Sequence, residues 1–288
     1  MKFLRGTGVA LITPFNKQLK IDYDALGRVI KHVERGNVDY LVALGTTGEI
    51  STLSRKEKQS ILKFINASSD KPLIVGHGGN NTQQLIDELD LLQNRRVKAL
   101  LSVTPYYNRP SQQGLTEHYQ TLADNSPVPL ILYNVPARTA VNLEVSTTLH
   151  LSNHDNIIGI KEASGSLEQA KKIISHSAEG FYVLSGEDSM TLDMIKLGAD
   201  GVISVIANYK PKQFCEMVGA ALQNQISKAV IGNAKLKQDY QLLMAEGNPT
   251  SVKTALQAIQ LIDRNVRLPL IPGSEKLLQK FKKKGNLI

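Results

Sequence analysis

Lys161 closes the apolar run Ile157-Ile158-Gly159-Ile160, and an amine at the end of a buried strand has chemistry that a solvated one lacks. Desolvation disfavours the ammonium form. A neutral amine attacks a ketone to give a Schiff base, which turns the bound substrate into an electron sink. That route needs a proton delivered to the departing carbinolamine oxygen and another taken from the neighbouring carbon. Tyr133 ends a second apolar run, Leu130-Ile131-Leu132, and a phenol serves both transfers. Gly45-Thr46-Thr47-Gly48-Glu49 adds two hydroxyls and closely spaced backbone N–H groups, a set suited to a carboxylate. Arg138, just beyond Pro136, offers a guanidinium for a second carboxylate.

Each of these residues alone also has an ordinary structural explanation. A strand-end lysine snorkels to solvent or pairs with its neighbour, here Glu162. A strand-end tyrosine caps a core, glycine-threonine turns are common, and a loop arginine makes surface ion pairs. Their company raises them above that.

The elements that must carry them are legible. Short apolar runs recur at Val9–Thr13, Tyr40–Leu44, Leu73–Val75, Ala99–Val103, Leu130–Tyr133, Ile157–Lys161, Tyr182–Leu184 and Gly201–Val205, with helical periodicity between them, as in Leu26, Val29, Ile30 and Val33. The runs are continuous rather than alternating, as strands covered on both faces require. Ser54 and Glu57 have capping-box spacing, while Gly36 and Gly198 are placed as left-handed helix caps. Eight such strands predict a (β/α)8 TIM barrel over residues 1–223. An open doubly wound sheet is the alternative, and Gly76-His77-Gly78-Gly79 lacks the dinucleotide-binding spacing that would favour it. Pro211–Leu222, Ile226–Met244 and Ser251–Leu261 read as helices, so residues 224–288 are expected as a C-terminal helical extension. In a barrel, chemistry belongs at the strand C-terminal ends. Those positions hold Thr46, Thr47, Tyr106, Tyr107, Tyr133, Arg138 and Lys161, with Gly186 and Ile203 near the last two strands.

Composition narrows the function classes. The 288 residues are 42% hydrophobic and 21% charged, an ordinary globular balance. One cysteine, Cys215, excludes an intrachain disulfide framework. None of the six histidines forms a convincing metal pair. No apolar stretch approaches the ~20 residues that span a bilayer, and the N-terminal run has no cleavage site after it, so a cytoplasmic protein without membrane association is expected. The net charge of +8 is scattered except at Lys280, Lys282, Lys283 and Lys284, which read as a solvated helix end. Without zinc-finger or aromatic-basic patterns, no nucleic-acid partner is expected, and small anionic substrates suit the charge.

Gly45-Thr46-Thr47-Gly48-Glu49, Tyr106-Tyr107-Asn108, Tyr133-Asn134-Val135-Pro136 with Arg138-Thr139, Lys161-Glu162-Ala163-Ser164-Gly165 and Gly201-Val202-Ile203-Ser204, in this order, resemble the signatures of the dihydrodipicolinate synthase family. The wider group is the pyruvate-dependent class I aldolases and N-acetylneuraminate lyases, and the resemblance runs essentially end to end. It implies a Schiff base between Lys161 and pyruvate, then condensation with L-aspartate 4-semialdehyde in the diaminopimelate route to lysine. Tyr133 is implied as proton donor and acceptor, with Thr46 and Tyr107 completing a hydroxyl relay and Tyr107 reaching a neighbouring subunit's site. Thr47 and Ile203 are implied at the pyruvate, Gly186 beside it, and Arg138 at the carboxylate of the second substrate. No metal or dissociable cofactor is implied, and a homotetramer built as a dimer of dimers is.

The resemblance is incomplete where many family members bind inhibitory lysine. Asn80 and Tyr106 agree, but Gln84 stands where an acid would pair with the lysine amine. Arg55 and Lys58 replace histidines, and Ile50 replaces a small polar residue. Losing a carboxylate and adding cations weakens binding of a cation. The expectation is weak or absent inhibition, which an inhibition constant in the sub-millimolar range would contradict. The nearest rivals are N-acetylneuraminate lyase and 2-keto-3-deoxy-sugar-acid aldolases on the same scaffold. The pair Thr46-Thr47, against a serine-threonine pair in the lyase, and Arg138 favour the synthase. A non-catalytic barrel that senses small acids would have lost Lys161 or Tyr133, and both are present.

Overall fold

Strands buried on both faces need helices outside and side chains inside, and that is how the apolar runs are disposed. The computed structural model describes residues 2–92 and 96–285. Eight parallel strands close into a barrel in sequence order: β1 (Gly6–Ala10), β2 (Tyr40–Ala43), β3 (Leu73–Gly76), β4 (Val97–Val103), β5 (Leu130–Asn134), β6 (Ile157–Glu162), β7 (Tyr182–Ser185) and β8 (Gly201–Ser204). The pairing of β8 with β1 completes the ring, so the open-sheet alternative falls.

The helices are α1 (Tyr23–Arg35), α2 (Arg55–Ser68), α3 (Thr82–Asp87), α4 (Gln112–Asn125), α5 (Pro136–Thr139), α6 (Val145–Leu151), α7 (Leu167–His176), α8 (Thr191–Lys196) and α9 (Pro211–Leu222), then α10 (Ile226–Met244), α11 (Thr250–Ala258) and α12 (Glu275–Gly285). Alternate strand residues such as Val42, Ile74, Leu101, Ile131, Leu184 and Ile203 fill the barrel interior. The other parity packs outward against apolar helix faces, as with Leu26, Val29, Ile30 and Val33 of α1. Ser54 does cap α2 in a capping box with Glu57.

Two expectations need correction. The first strand begins at Gly6, not Val9. Its opening Gly6-Thr7-Gly8 is poor in strand formers, but a Cβ at Gly8 would lie 2.0 Å from the Tyr40 ring. Glycine is required there so that Tyr40, the partner of Gly8 across the ladder, can fill the barrel floor. Gly36 is not a left-handed cap: its φ is −82°, and the left-handed residue is Asn37 at 64°. A Cβ at Gly36 would lie 2.3 Å from Pro211, so the glycine permits α9 to approach α1.

The chain turns between α9 and α10 at residues 223–225, and α11 is buried from Thr250 to Leu256. The extension is therefore packed into the structure. The basic tail is not wholly solvated either. Lys284 lies 2.9 Å from Asp239, a fully buried carboxylate on α10 that Lys210 also approaches at 3.2 Å. Among the described residues, no helix is long and apolar enough to cross a membrane.

Candidate active site

Strand alternation places the central pair. Tyr133 and Lys161 are register partners on neighbouring strands β5 and β6, and both side chains point into the barrel. They are 8% and 6% exposed, and Lys161 Nζ lies 4.2 Å from the centroid of the Tyr133 ring. Lys161 does not pair with its neighbour. Glu162 faces the opposite side of the sheet, where its buried carboxylate accepts hydrogen bonds from Asn134 Nδ2 (3.0 Å), Gln169 Nε2 (3.1 Å) and the Ser164 N–H (2.6 Å). That network ties the ends of β5 and β6 to α7 and holds Lys161 on the inner face.

Lys161 and Tyr133 line a cavity of about 380 Å³ at the C-terminal mouth of the barrel, together with Thr46, Thr47, Arg138 and Gly186. The volume suits a substrate of a few carbons. At Gly186 a Cβ would come within 2.6 Å of Ala163 Cβ and 3.1 Å of Lys161 Cε, so glycine keeps the space in which the lysine extends. On the β2 side the chain forms a single tight turn over Thr46–Gly48. The first N–H groups of such a turn have no acceptor within it, and Thr46 and Thr47 both line the cavity. Thr47 is almost fully buried. Arg138 is exposed on α5, whose first residue is Pro136, pre-set for a helix start.

Two residues stand apart from that cavity. Ile203 is buried in the barrel interior with Tyr133 and Leu184 and is not among the residues that line the cavity. Tyr107 is 90% exposed on the loop after β4 and holds a left-handed φ of 74°. That loop is fixed locally: Asn80 Nδ2 donates to Tyr106 O at 3.2 Å and Asn108 Nδ2 to Asn80 O at 3.3 Å. The residues weighed for lysine binding are spread over this side. Gln84 donates to Glu88 at 3.0 Å and Arg55 pairs with Asp90. Ile50 lines the cavity itself.

Sequence reasoning missed what the extension contributes. Asn248, between α10 and α11, lines the cavity, and its Nδ2 donates to Thr47 Oγ1 at 2.9 Å. Its backbone carbonyl lies 3.5 Å from Arg138 Nη2. Met244 reaches the mouth from the end of α10. Glu49, next to the threonine turn at a left-handed φ of 55°, forms a buried ion pair with Lys253 of α11. Its other carboxylate oxygen accepts the Arg267 N–H at 3.0 Å. The only trace in the sequence was a helical stripe in the extension, which says nothing of a cavity 200 residues upstream.

The arrangement supplies a buried amine, an adjacent phenol, a pair of threonines on the cavity wall and a guanidinium at the rim, which is equipment suited to Schiff-base chemistry. Among the described residues no group of histidine, cysteine and carboxylate side chains could hold a metal ion. Compared with known proteins, residues 3–286 match the Dihydrodipicolinate synthetase family. A protein named 4-hydroxy-tetrahydrodipicolinate synthase from Flavobacterium psychrophilum is 44% identical over 280 residues, spanning 96% of each chain. The structure of chloride-inhibited dihydrodipicolinate synthase from Acinetobacter baumannii, complexed with pyruvate, superimposes with a TM-score of 0.94 at 38% identity, over 99% of this chain and 100% of that one. A monomeric dihydrodipicolinate synthase variant has a TM-score of 0.93 at 34% identity, over 99% and 98% of the two chains.

Proposed function

The chain belongs to the dihydrodipicolinate synthetase family, and from that premise we propose that it catalyses the 4-hydroxy-tetrahydrodipicolinate synthase reaction, a lyase-type condensation of pyruvate with L-aspartate 4-semialdehyde. The observation that carries the reading is the register pair of Lys161 and Tyr133, buried together in a cavity whose other wall is Thr46-Thr47.

Each group then has a task. Lys161 attacks the keto carbon of pyruvate, and water leaves as the Schiff base forms. Tyr133 protonates the departing oxygen and takes up a methyl proton to give the enamine. Thr46 and Tyr107 extend the proton path, Thr47 holds the pyruvate carboxylate, and Gly186 leaves room for the adduct. Ile203, buried with Tyr133, lines the inner end of the pyruvate pocket in this reading. Arg138 meets the carboxylate of the semialdehyde at the mouth. The enamine attacks the aldehyde carbon, and the amino group of the second substrate closes the ring and releases Lys161. The covalent adduct is itself the electron sink, so the scheme calls on no metal or dissociable cofactor. The exposure of Tyr107 on its own chain supports a site completed by a second copy, within a homotetramer built as a dimer of dimers. We place the enzyme in the cytoplasm, where both substrates are metabolites of the cell.

A coupled assay tests this, with dihydrodipicolinate reductase reporting product through NADPH loss. Wild type is expected to turn over, and Lys161→Ala to lose turnover and borohydride trapping of pyruvate together. Trapping without turnover would leave the chemistry standing and refute the second substrate, with N-acetylneuraminate cleavage run in parallel. Absence of trapping in wild type would refute the lysine mechanism.

A further inference from the structure

The extension is a separate run of helices, yet two of its side chains, Asn248 between α10 and α11 and Lys253 on α11, are fixed on the β2 loop. Lys253 is paired with Glu49, and Asn248 donates to Thr47. The second contact has a direction. An amide nitrogen only donates, so Thr47 Oγ1 is the acceptor in that 2.9 Å bond. A hydroxyl that accepts from one neighbour still has one proton to give, and here that proton is turned away from Asn248. Both residues line the cavity, and a carboxylate only accepts. The other end of the amide is unengaged: Asn248 Oδ1 is buried and has no hydrogen-bond partner among the described residues. Leaving a buried carbonyl oxygen unpaired costs free energy, and the amide bears that cost while its nitrogen is committed to Thr47. The backbone carbonyl of the same residue, 3.5 Å from the Arg138 guanidinium, ties it to the rim as well.

We propose that Asn248 is a positioning residue of the active site, which by donating to Thr47 Oγ1 leaves the Thr47 hydroxyl as a donor to the carboxylate of the keto acid. This rests on the reading of Thr47 as the pyruvate-carboxylate group. It assigns the C-terminal extension a part in substrate binding: without it Thr47 is free to turn its proton elsewhere in the buried loop. Asparagine suits the task better than its relatives. Aspartate is nearly the same shape but only accepts, so it would draw the Thr47 proton to itself and set a negative charge beside the anion pocket.

The test uses the full chain and two readouts. One is the pyruvate concentration that half-saturates borohydride trapping on Lys161, which needs no second substrate. The other is the KM for pyruvate and kcat in the coupled assay. Asn248→Ala is expected to raise both pyruvate constants about 5- to 10-fold, the worth of one ordinary hydrogen bond, with kcat much less affected. Asn248→Asp is expected to raise them further, about 100-fold. In a Thr47→Val background, Asn248→Ala is expected to add nothing, because its effect passes through that hydroxyl. Pyruvate constants within twofold of wild type for both variants would overturn the proposal, and so would effects of Thr47→Val and Asn248→Ala that multiply. Should Asn248→Ala not fold, the near-isosteric Asn248→Asp carries the test alone. Trapping that behaves as expected without turnover would count against the proposed second substrate and not against Asn248.

Discussion

Glu49 and Lys253 are 204 positions apart in the chain, and neither side chain meets solvent. Two charges removed from water are tolerated only when each has enough partners. Lys253 has them: Glu49, the Asn265 carbonyl at 2.9 Å and the face of Phe15 at 4.2 Å from the ring centroid. Even so, burial pulls its ammonium down to about 8, against the opposing pull of Glu49. Removing one partner strands the other. Lys253→Met is therefore expected to lower stability by about 3–5 kcal/mol, because it leaves the Glu49 carboxylate buried and short of a cation. Adding Glu49→Gln should restore much of that loss, since a neutral amide needs no counter-charge. Urea unfolding of the two variants beside wild type checks both statements, and a single-variant loss under ~1 kcal/mol would show that the pair holds nothing together. Glu49 stood out in the sequence as part of a motif. Its partner could not, because a buried lysine on a helix reads like any other lysine until the fold brings a carboxylate to it.

Between elements, the packing of α4 on α3 contains an ionisable group with half its hydrogen-bonding capacity unused. His118 is buried on α4, its Nδ1 2.8 Å from Thr82 Oγ1 on α3, while Nε2 has no partner among the described residues. Burial lowers its pKa to about 4. A folded-state value below the unfolded one means that the unfolded chain binds the proton first as the pH falls. The stability tied to the neutral ring is therefore whole above pH 6.5 and is lost as the pH drops through 4. His118→Gln keeps a polar group and cannot titrate, so its unfolding free energy should fall less than that of wild type between pH 6.5 and 4. The expected difference is ~3 kcal/mol at about 1.4 kcal/mol per pKa unit, read from urea unfolding at both pH values. Equal slopes would place the acid sensitivity elsewhere. Helix and strand existence was legible at this scale because a barrel strand covered on both faces leaves an unbroken apolar run. Boundaries failed where packing outranked propensity, at Gly6-Thr7-Gly8 under Tyr40 and at Gly36 under Pro211. The cavity lining was legible where its residues end strands or follow them closely, as at Tyr133, Lys161, Thr46-Thr47 and Arg138. Asn248 enters from a loop that Gly247 and Pro249 mark in the sequence, but its role depends on where a separate set of helices docks.

At the scale of the whole molecule, one chain holds Lys161, Tyr133, Thr46 and Thr47 around its cavity but carries Tyr107 on an exposed loop outside it. A large aromatic residue at a left-handed φ is unusual, and the hydrogen bonds around Asn80 and Asn108 hold the loop in that form. Holding a tyrosine outward makes sense if another copy receives it, and a two-fold interface would let each chain supply the other. Lys161→Ala and Tyr107→Phe homomers should then both be nearly inactive, the second because a step of the proton path is missing. Mixed, dissociated and reassembled in equal amounts, they should regain activity. In each mixed dimer, the site holding an intact Lys161 receives Tyr107 from its partner, so about a quarter of all sites become complete. Parent proteins taken separately through the same cycle are the control. Recovery near that level would mean that catalysis belongs to the pair of chains, and the extension that fixes Thr47 from within each chain would then be matched by a loop that completes the site from outside it. Lack of recovery, with mixed dimers confirmed by mass, would show that each chain completes its own site and that Tyr107 serves some other purpose.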